Sequence, residues 1–180
     1  MSEENFDSAQ TGEPGMDQAT YEIVQELFQL ARAGDTQRLR EFFENGFQAP
    51  NIRDGNGNSL LMLASYNGHL ETARLLLERG GDPELGNDRG QLPLAGAAFK
   101  GDTEMARLLL DHGADVNGHS PDGKTALMFA AMFNRIEIID LLLEQGADSS
   151  IQAGDGTTAL SLAQAMEAHA AAARLIQPGS

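Results

Sequence analysis

Residues 108–117 read Leu108-Leu109-Leu110-Asp111-His112-Gly113-Ala114-Asp115-Val116-Asn117, and parts of this stretch return at a fixed step. The leucine triplet recurs as Leu75-Leu76-Leu77 and as Leu141-Leu142-Leu143, and Gly113 recurs as Gly80 and Gly146, each 33 residues away. Gly57, Gly90, Gly123 and Gly156 keep the same step. One register therefore ties together a turn glycine, a helix core and a helix-ending glycine. Such a period is the sequence sign of a repeat architecture.

Each unit reads the same way outward from its leucine triplet. Asn56-Gly57, Asp122-Gly123 and Asp155-Gly156 are tight-turn dipeptides that tolerate positive φ. A short Leu- and Ala-rich helix follows, such as residues 59–66. The chain then reverses at Asn67-Gly68 or Lys100-Gly101, and a second helix such as residues 70–79 buries the triplet. Gly80 suits the left-handed position just past that helix. Glu71, Glu104 and Glu137 fall in the first turn of the second helix, where its dipole favours acid. Asp82, Asp115 and Asp148 recur at the same step, which marks them as loop-capping residues rather than catalytic ones.

On these residues the chain resembles the ankyrin repeat family. The tetrapeptide that the family writes Thr-Pro-Leu-His reads here Ser59-Leu60-Leu61-Met62, Leu92-Pro93-Leu94-Ala95, Thr125-Ala126-Leu127-Met128 and Thr158-Ala159-Leu160-Ser161. Gly113-Ala114-Asp115-Val116-Asn117 and Gly146-Ala147-Asp148 match the family's unit ending. The resemblance covers residues 21–177 and implies an all-α solenoid of stacked helix-turn-helix units with short β-hairpin-like turn tips. It also implies a small stand-alone domain of bacterial type. The family histidine is replaced in every unit, by Met62, Ala95, Met128 and Ser161. That change predicts a less rigid stack, offset in part by methionine packing.

The expected organisation is an acidic disordered tail over residues 1–19 and a repeat domain over 20–177. The domain divides into an N-terminal helical cap (20–50) and repeats at about 54–86, 87–119, 120–152 and 153–177. The tail carries Glu3, Glu4, Asp7, Glu13 and Asp17 with no basic residue, too little apolar surface to offset ordering entropy. Glu167 stands where other units have their interhelical glycine, and Arg174-Leu175 is shifted by one residue, as suits a terminal unit.

Over all 180 residues, 27 Asp and Glu outweigh 12 Lys and Arg, for a net charge of −15. That balance argues against nucleic acid or an anionic membrane as partner, since phosphate contacts need Lys and Arg. No Cys is present, which excludes disulfides, thiolate metal sites and a Cys nucleophile. No apolar run reaches the ~20 residues of a membrane span. The expected setting is the cytoplasm, and a monomer is favoured.

No catalytic constellation, cofactor site or metal site is predicted. His69 opens a second helix and reads as structural. His112 and His119 flank the Gly113 loop, but two histidines without a third ligand are a weak metal set. No phosphate-binding glycine loop or nucleophile elbow occurs.

The candidate partner-binding residues lie on the first helices and turn tips, which form the concave face of a repeat stack. Tyr66, Phe99 and Met132 occupy one register position in consecutive units and are expected to form an aromatic–thioether ladder, with Asn67, Lys100 and Phe133 beside them. Arg32 holds the corresponding place in the N-terminal pair. Asn56 and Asn58, Arg89 and Gln91, and Asp122 and Lys124 flank the turn glycines. The leading expectation is a non-enzymatic adaptor that binds another protein through this face, with most of the acid on the convex side. One alternative is an acidic inhibitor or decoy of a basic nucleic-acid-binding protein. Another follows from the resemblance alone: a stress-related accessory protein assisting cofactor loading of an enzyme.

Overall fold

In the computed structural model, residues 17–176 are described, and they form five antiparallel helix pairs. The first helices are α1 (Gln18–Ala33), α3 (Leu60–Tyr66), α5 (Pro93–Lys100), α7 (Ala126–Met132) and α9 (Ala159–Ala165). The second helices are α2 (Thr36–Glu44), α4 (Leu70–Glu78), α6 (Thr103–Asp111), α8 (Ile136–Glu144) and α10 (His169–Ile176). Each first helix packs on the next first helix, and each second helix on the next second helix, so the units stack into an all-α solenoid. The expected turn-tip hairpins are reduced to two isolated antiparallel bridges among the described residues, Arg53 with Ser59 and His119 with Thr125.

The core follows the 33-residue register. Leu27, Leu61, Leu94 and Leu127 form one column through the first helices, each at most 2 % exposed. Leu76, Leu109 and Leu142 form a second column through the second helices, all fully buried. Leu175 continues that column, so the one-residue shift in the last unit keeps a leucine under the triplet's middle position. Met62 and Met128 are buried where the family has histidine. The C-terminal pair is more polar on its outer side. Ser161 and Gln164 are exposed where the preceding unit buries Met128 and Ala131. Polar substitution of this kind lets a stack end in water.

Local chemistry sets the helix starts. Ser59, Thr125 and Thr158 side-chain oxygens accept from the backbone N–H three residues on and cap α3, α7 and α9. Leu92 offers no such oxygen, and Pro93 at the first position of α5 compensates with a preset φ and no N–H to satisfy. Asp17 caps α1 by accepting from Thr20 N–H at 2.9 Å. The helix therefore begins at Gln18, inside the segment assigned to the tail, and the boundary moves to that cap. Residues 1–16 of the expected tail lie outside the described residues.

Side chains from one unit satisfy backbone groups of its neighbour. Asn51, Glu84 and Asn117 accept from the backbone N–H of Asp82, Asp115 and Asp148, at 2.8, 3.0 and 2.8 Å. Each of those aspartates in turn accepts from an N–H two residues on, as expected of loop-capping residues. At the far end of the first helices, Arg32, Tyr66 and Phe99 carbonyls accept from His69, Lys100 and Arg135 of the following unit. These ties supply cross-unit bonding where the family histidine is missing. Donors at a helix C-terminus also meet its unpaired carbonyls and negative dipole end.

The interhelical turns use one left-handed residue each. It is glycine at Gly34, Gly68 and Gly101, but Asn134 and Glu167 adopt the same conformation at φ 54°. Asn134 fits because its Oδ1 accepts from Ala171 N–H at 2.9 Å and caps α10 from the neighbouring unit. Glu167 has no such compensation.

Candidate protein-binding groove

The turn tips are tightened by side chains at one repeat position. Asp54 Oδ1 accepts from the N–H groups of Asn56 and Asn58, both at 2.9 Å. Asn87 Oδ1 does the same for Arg89 and Gln91, both at 3.1 Å. A short amide chain then crosses between units: Asn87 Nδ2 donates to Asn58 Oδ1 at 3.1 Å and to Gln91 Oε1 at 2.9 Å. Neighbouring tips also bond directly, Asp88 N–H to Asn56 C=O at 3.1 Å and Gly154 N–H to Asp122 C=O at 2.8 Å. Pro121 holds the intervening register position and has no N–H, so the tip bond between the second and third units is absent.

Between these tips and the first helices lies a groove of about 470 Å³. Its tip wall is Asn56, Asn58, Asn87, Arg89 and Gln91, and its floor is Met62, Leu63, Tyr66, Leu92, Ala95, Gly96, Phe99 and Phe129. The depression exists because α5 is small where its neighbours are large. Gly96 stands in register with Leu63 and Phe129, and Ala95 with Met62 and Met128. A Cβ at Gly96 would sit 3.5 Å from the Tyr66 ring, an ordinary contact, so the glycine is there for space rather than for its backbone.

Of the candidate residues, Asn56, Asn58, Tyr66, Asn67, Arg89, Gln91 and Phe99 come together around this groove. Tyr66 is 48 % and Phe99 39 % exposed, high for aromatic side chains. The ladder differs from expectation at its third rung. Met132 is half-buried, whereas Phe133 is exposed and packs edge-to-face on Phe99 with centroids 4.6 Å apart. Lys100 lies over the Tyr66 ring at 4.4 Å and reaches the Tyr66 carbonyl, forming the rim on that side.

Three candidates are engaged elsewhere. Arg32 pairs with Asp54 at 2.6 Å, and Asp122 and Lys124 pair with each other at the third tip. Burial alone would raise the Asp54 carboxyl, but the N–H groups of Asn56 and Asn58, the Asn58 amide and Arg32 outweigh it and hold the group below the ordinary range. Hydrogen bonds from Lys124 and Ser120 hold Asp122 at about 2. These acids therefore serve the tips.

The groove carries no carboxylate in its lining, although the chain is acidic; its one formal charge is Arg89. The first helices α3, α5, α7 and α9 contain no acid at all. Glu41, Glu44, Glu71, Glu78, Glu104, Asp111, Glu137, Asp140 and Glu144 all lie on second helices.

Sequence reasoning missed Leu63, Leu92, Ala95, Gly96 and Phe129. The signal for Leu63, Gly96 and Phe129 was a size comparison within one column that ends at Leu162, in which one member vanishes, and Ala95 stands out in the same way against Met62 and Met128. The histidines do not converge. Nδ1 of His112 faces Leu108 C=O at 2.9 Å, and Nδ1 of His119 faces Ser120 C=O at 3.0 Å. No group of three or more metal-capable side chains occurs among the described residues. No helix among them is long and apolar enough to cross a membrane.

Comparison with known proteins agrees with the geometry. The family described as ankyrin repeats (three copies) matches residues 22–119 and 117–180. A curated ankyrin repeat protein of Pseudomonas aeruginosa is 53 % identical over 62 residues. That alignment covers 34 % of this chain and 36 % of the relative, so the chain spans about a third of the relative's length. Members of this family are in general protein-interaction modules rather than enzymes. The period, the stacked helix pairs and the family match together make this chain a member of the ankyrin repeat family.

Proposed function

We propose that this chain is a non-enzymatic adaptor that binds a segment of another protein in the concave groove. The observation that carries the reading is the acid-free, apolar-floored groove opened by Ala95 and Gly96 and flanked by exposed Tyr66 and Phe99. Exposed aromatics beside a depression are favoured anchors, each worth about 2 kcal/mol or more when it is a hot spot. Asn56, Asn58, Asn67, Arg89 and Gln91 supply polar contacts. Lys100, Met132 and Phe133 extend the rim, and Arg32, Asp122 and Lys124 hold the tips in shape. The cytoplasm is the proposed setting.

The test is affinity capture from the source cell with the native chain and with Phe99→Ala and Gly96→Leu. Gly96→Leu fills the groove from a position where a Cβ meets only the Tyr66 ring, at an ordinary 3.5 Å. Loss of the same partner by both variants, with melting points near the native value, supports the reading. Capture unchanged by both removes the groove from it.

A second reading has its own observation. The nine carboxylates on the second helices favour a basic protein bound on the convex side. That complex would weaken steeply with salt, since exposed charges are screened within about 10 Å at 0.1 M. It would be indifferent to Gly96→Leu.

A further inference from the structure

We propose that the groove takes an extended peptide segment that inserts one apolar side chain against Phe99 and Phe129 and lays a carboxylate on Arg89. This inference rests on the concave-face reading above and adds the chemistry of the occupant.

The fold leaves a specific set of groups unused around the groove. Arg89 pairs with no carboxylate among the described residues. Gln91 engages its Oε1 with Asn87 and keeps its NH₂ free of protein partners among the described residues. The Tyr66 hydroxyl and the Asn56 side-chain amide are likewise without a bond there. Asn58 Oδ1 accepts from Asn87 and Asn87 Oδ1 from the N–H groups of Arg89 and Gln91, whereas the Oδ1 atoms of Asn56 and Asn67 accept nothing among the described residues. Arg89 is a donor only, so a ligand that completes it must bring an acceptor, while the free amides and the Tyr66 hydroxyl take either role. The carbonyls of an extended chain meet the amides, and a carboxylate meets the planar guanidinium through two parallel bonds.

The same inventory disfavours a basic segment. No lining residue is acidic, and the tip carboxylates Asp54, Asp88 and Asp122 are paired with Arg32, Arg53 and Lys124. A lysine or arginine entering the groove would meet Arg89 and no counter-ion. The overall charge of −15 limits how acidic the occupant is. At physiological ionic strength charges beyond about 8 Å are screened, so one or two carboxylates near Arg89 are attracted while a long acidic tract is repelled.

The experiment selects a random decapeptide display library on the full-length chain and titrates the recovered sequence by fluorescence anisotropy. The expected consensus pairs an aromatic or long aliphatic residue with a neighbouring Asp or Glu. Converting that acid to its amide weakens binding at least tenfold on the native chain and less than about twofold on Arg89→Gln, the signature of direct coupling. A neutral or basic consensus that is lost on Gly96→Leu overturns the carboxylate inference and leaves the concave-face reading standing. A consensus indifferent to Gly96→Leu, or no peptide recovered, overturns both.

Discussion

The substitution of glycine at Asn134 and at Glu167 is one chemical change at one repeat position, and the structure gives it opposite signs. Both residues hold φ near 54°, in register with Gly68 and Gly101. A left-handed backbone costs an ordinary residue roughly 1–2 kcal/mol, and glycine returns part of that gain as unfolded-state entropy, roughly 0.5–1 kcal/mol. Glu167 is exposed and its side chain makes no hydrogen bond among the described residues, so Glu167→Gly stabilises by about 0.5–1 kcal/mol. Asn134 tolerates the left-handed region, and its Oδ1 caps Ala171 N–H at 2.9 Å. Removing that cap costs about 1 kcal/mol, and little backbone strain is relieved in exchange. Glycine's unfolded-state entropy weighs on both variants, so they separate by about 2–3 kcal/mol, or roughly 4–12 °C in melting temperature for a domain of this size. Thermal and urea unfolding followed by circular dichroism measure this directly, with Glu167→Asn as a control expected to stabilise too. If both glycine variants shift stability in the same direction, the cross-unit cap is not what holds Asn134 in place.

Leu109→Ala removes a fully buried side chain and should cost 2–5 kcal/mol in urea unfolding. Phe99→Ala exposes little and loses one edge-to-face pair, so the same assay should show about 0.5–1.5 kcal/mol. Gly34→Ala should destabilise more than Gly68→Ala. Both have positive φ, but a Cβ at Gly34 would lie 2.5 Å from the His69 ring, while at Gly68 it meets nothing nearer than 3.9 Å. On acidification, Asp54, Asp122, Asp148 and Asp155 have folded-state pKa values below their unfolded ones. Their contribution is complete above about pH 4 and is lost as pH falls toward 2. Glu84 is raised, chiefly by burial, and opposes this trend. Melting points recorded from pH 5 to pH 2 should fall, and less steeply in Asp122→Asn.

Much of the architecture was legible in the sequence because it is periodic. The leucine columns, the loop aspartates and the turn glycines each declare themselves by returning at 33 residues, and the structure places them where that period requires. What was not legible depends on which neighbour a side chain finds. Arg32 was assigned to the binding face from its register, but Asp54 lies within reach only once α1 stacks on the first tip. Met132 and Phe133 are adjacent in sequence, and only the helix end decides which of them turns outward. Gly96 reads as a helix weakness until its column partners Leu63 and Phe129 show that it is a missing side chain. The first two residues of α1 went unseen because Asp17 was read as tail composition rather than as a cap.

The ties from Asn51, Glu84 and Asn117 have a consequence for how such a chain can grow. In each, the donor is a backbone amide, which every non-proline residue possesses, and the acceptor is any side chain ending in a carbonyl or carboxylate oxygen. The joint is therefore generic: a unit carries a plug that fits the socket of whichever unit follows. Excising residues 87–119 would bring Glu84 against the amide now held by Asn117, with the bond preserved in kind. Whole units can be gained or lost without rewriting the seam, and what such an event would change is the groove, because its small-residue floor belongs to that unit alone.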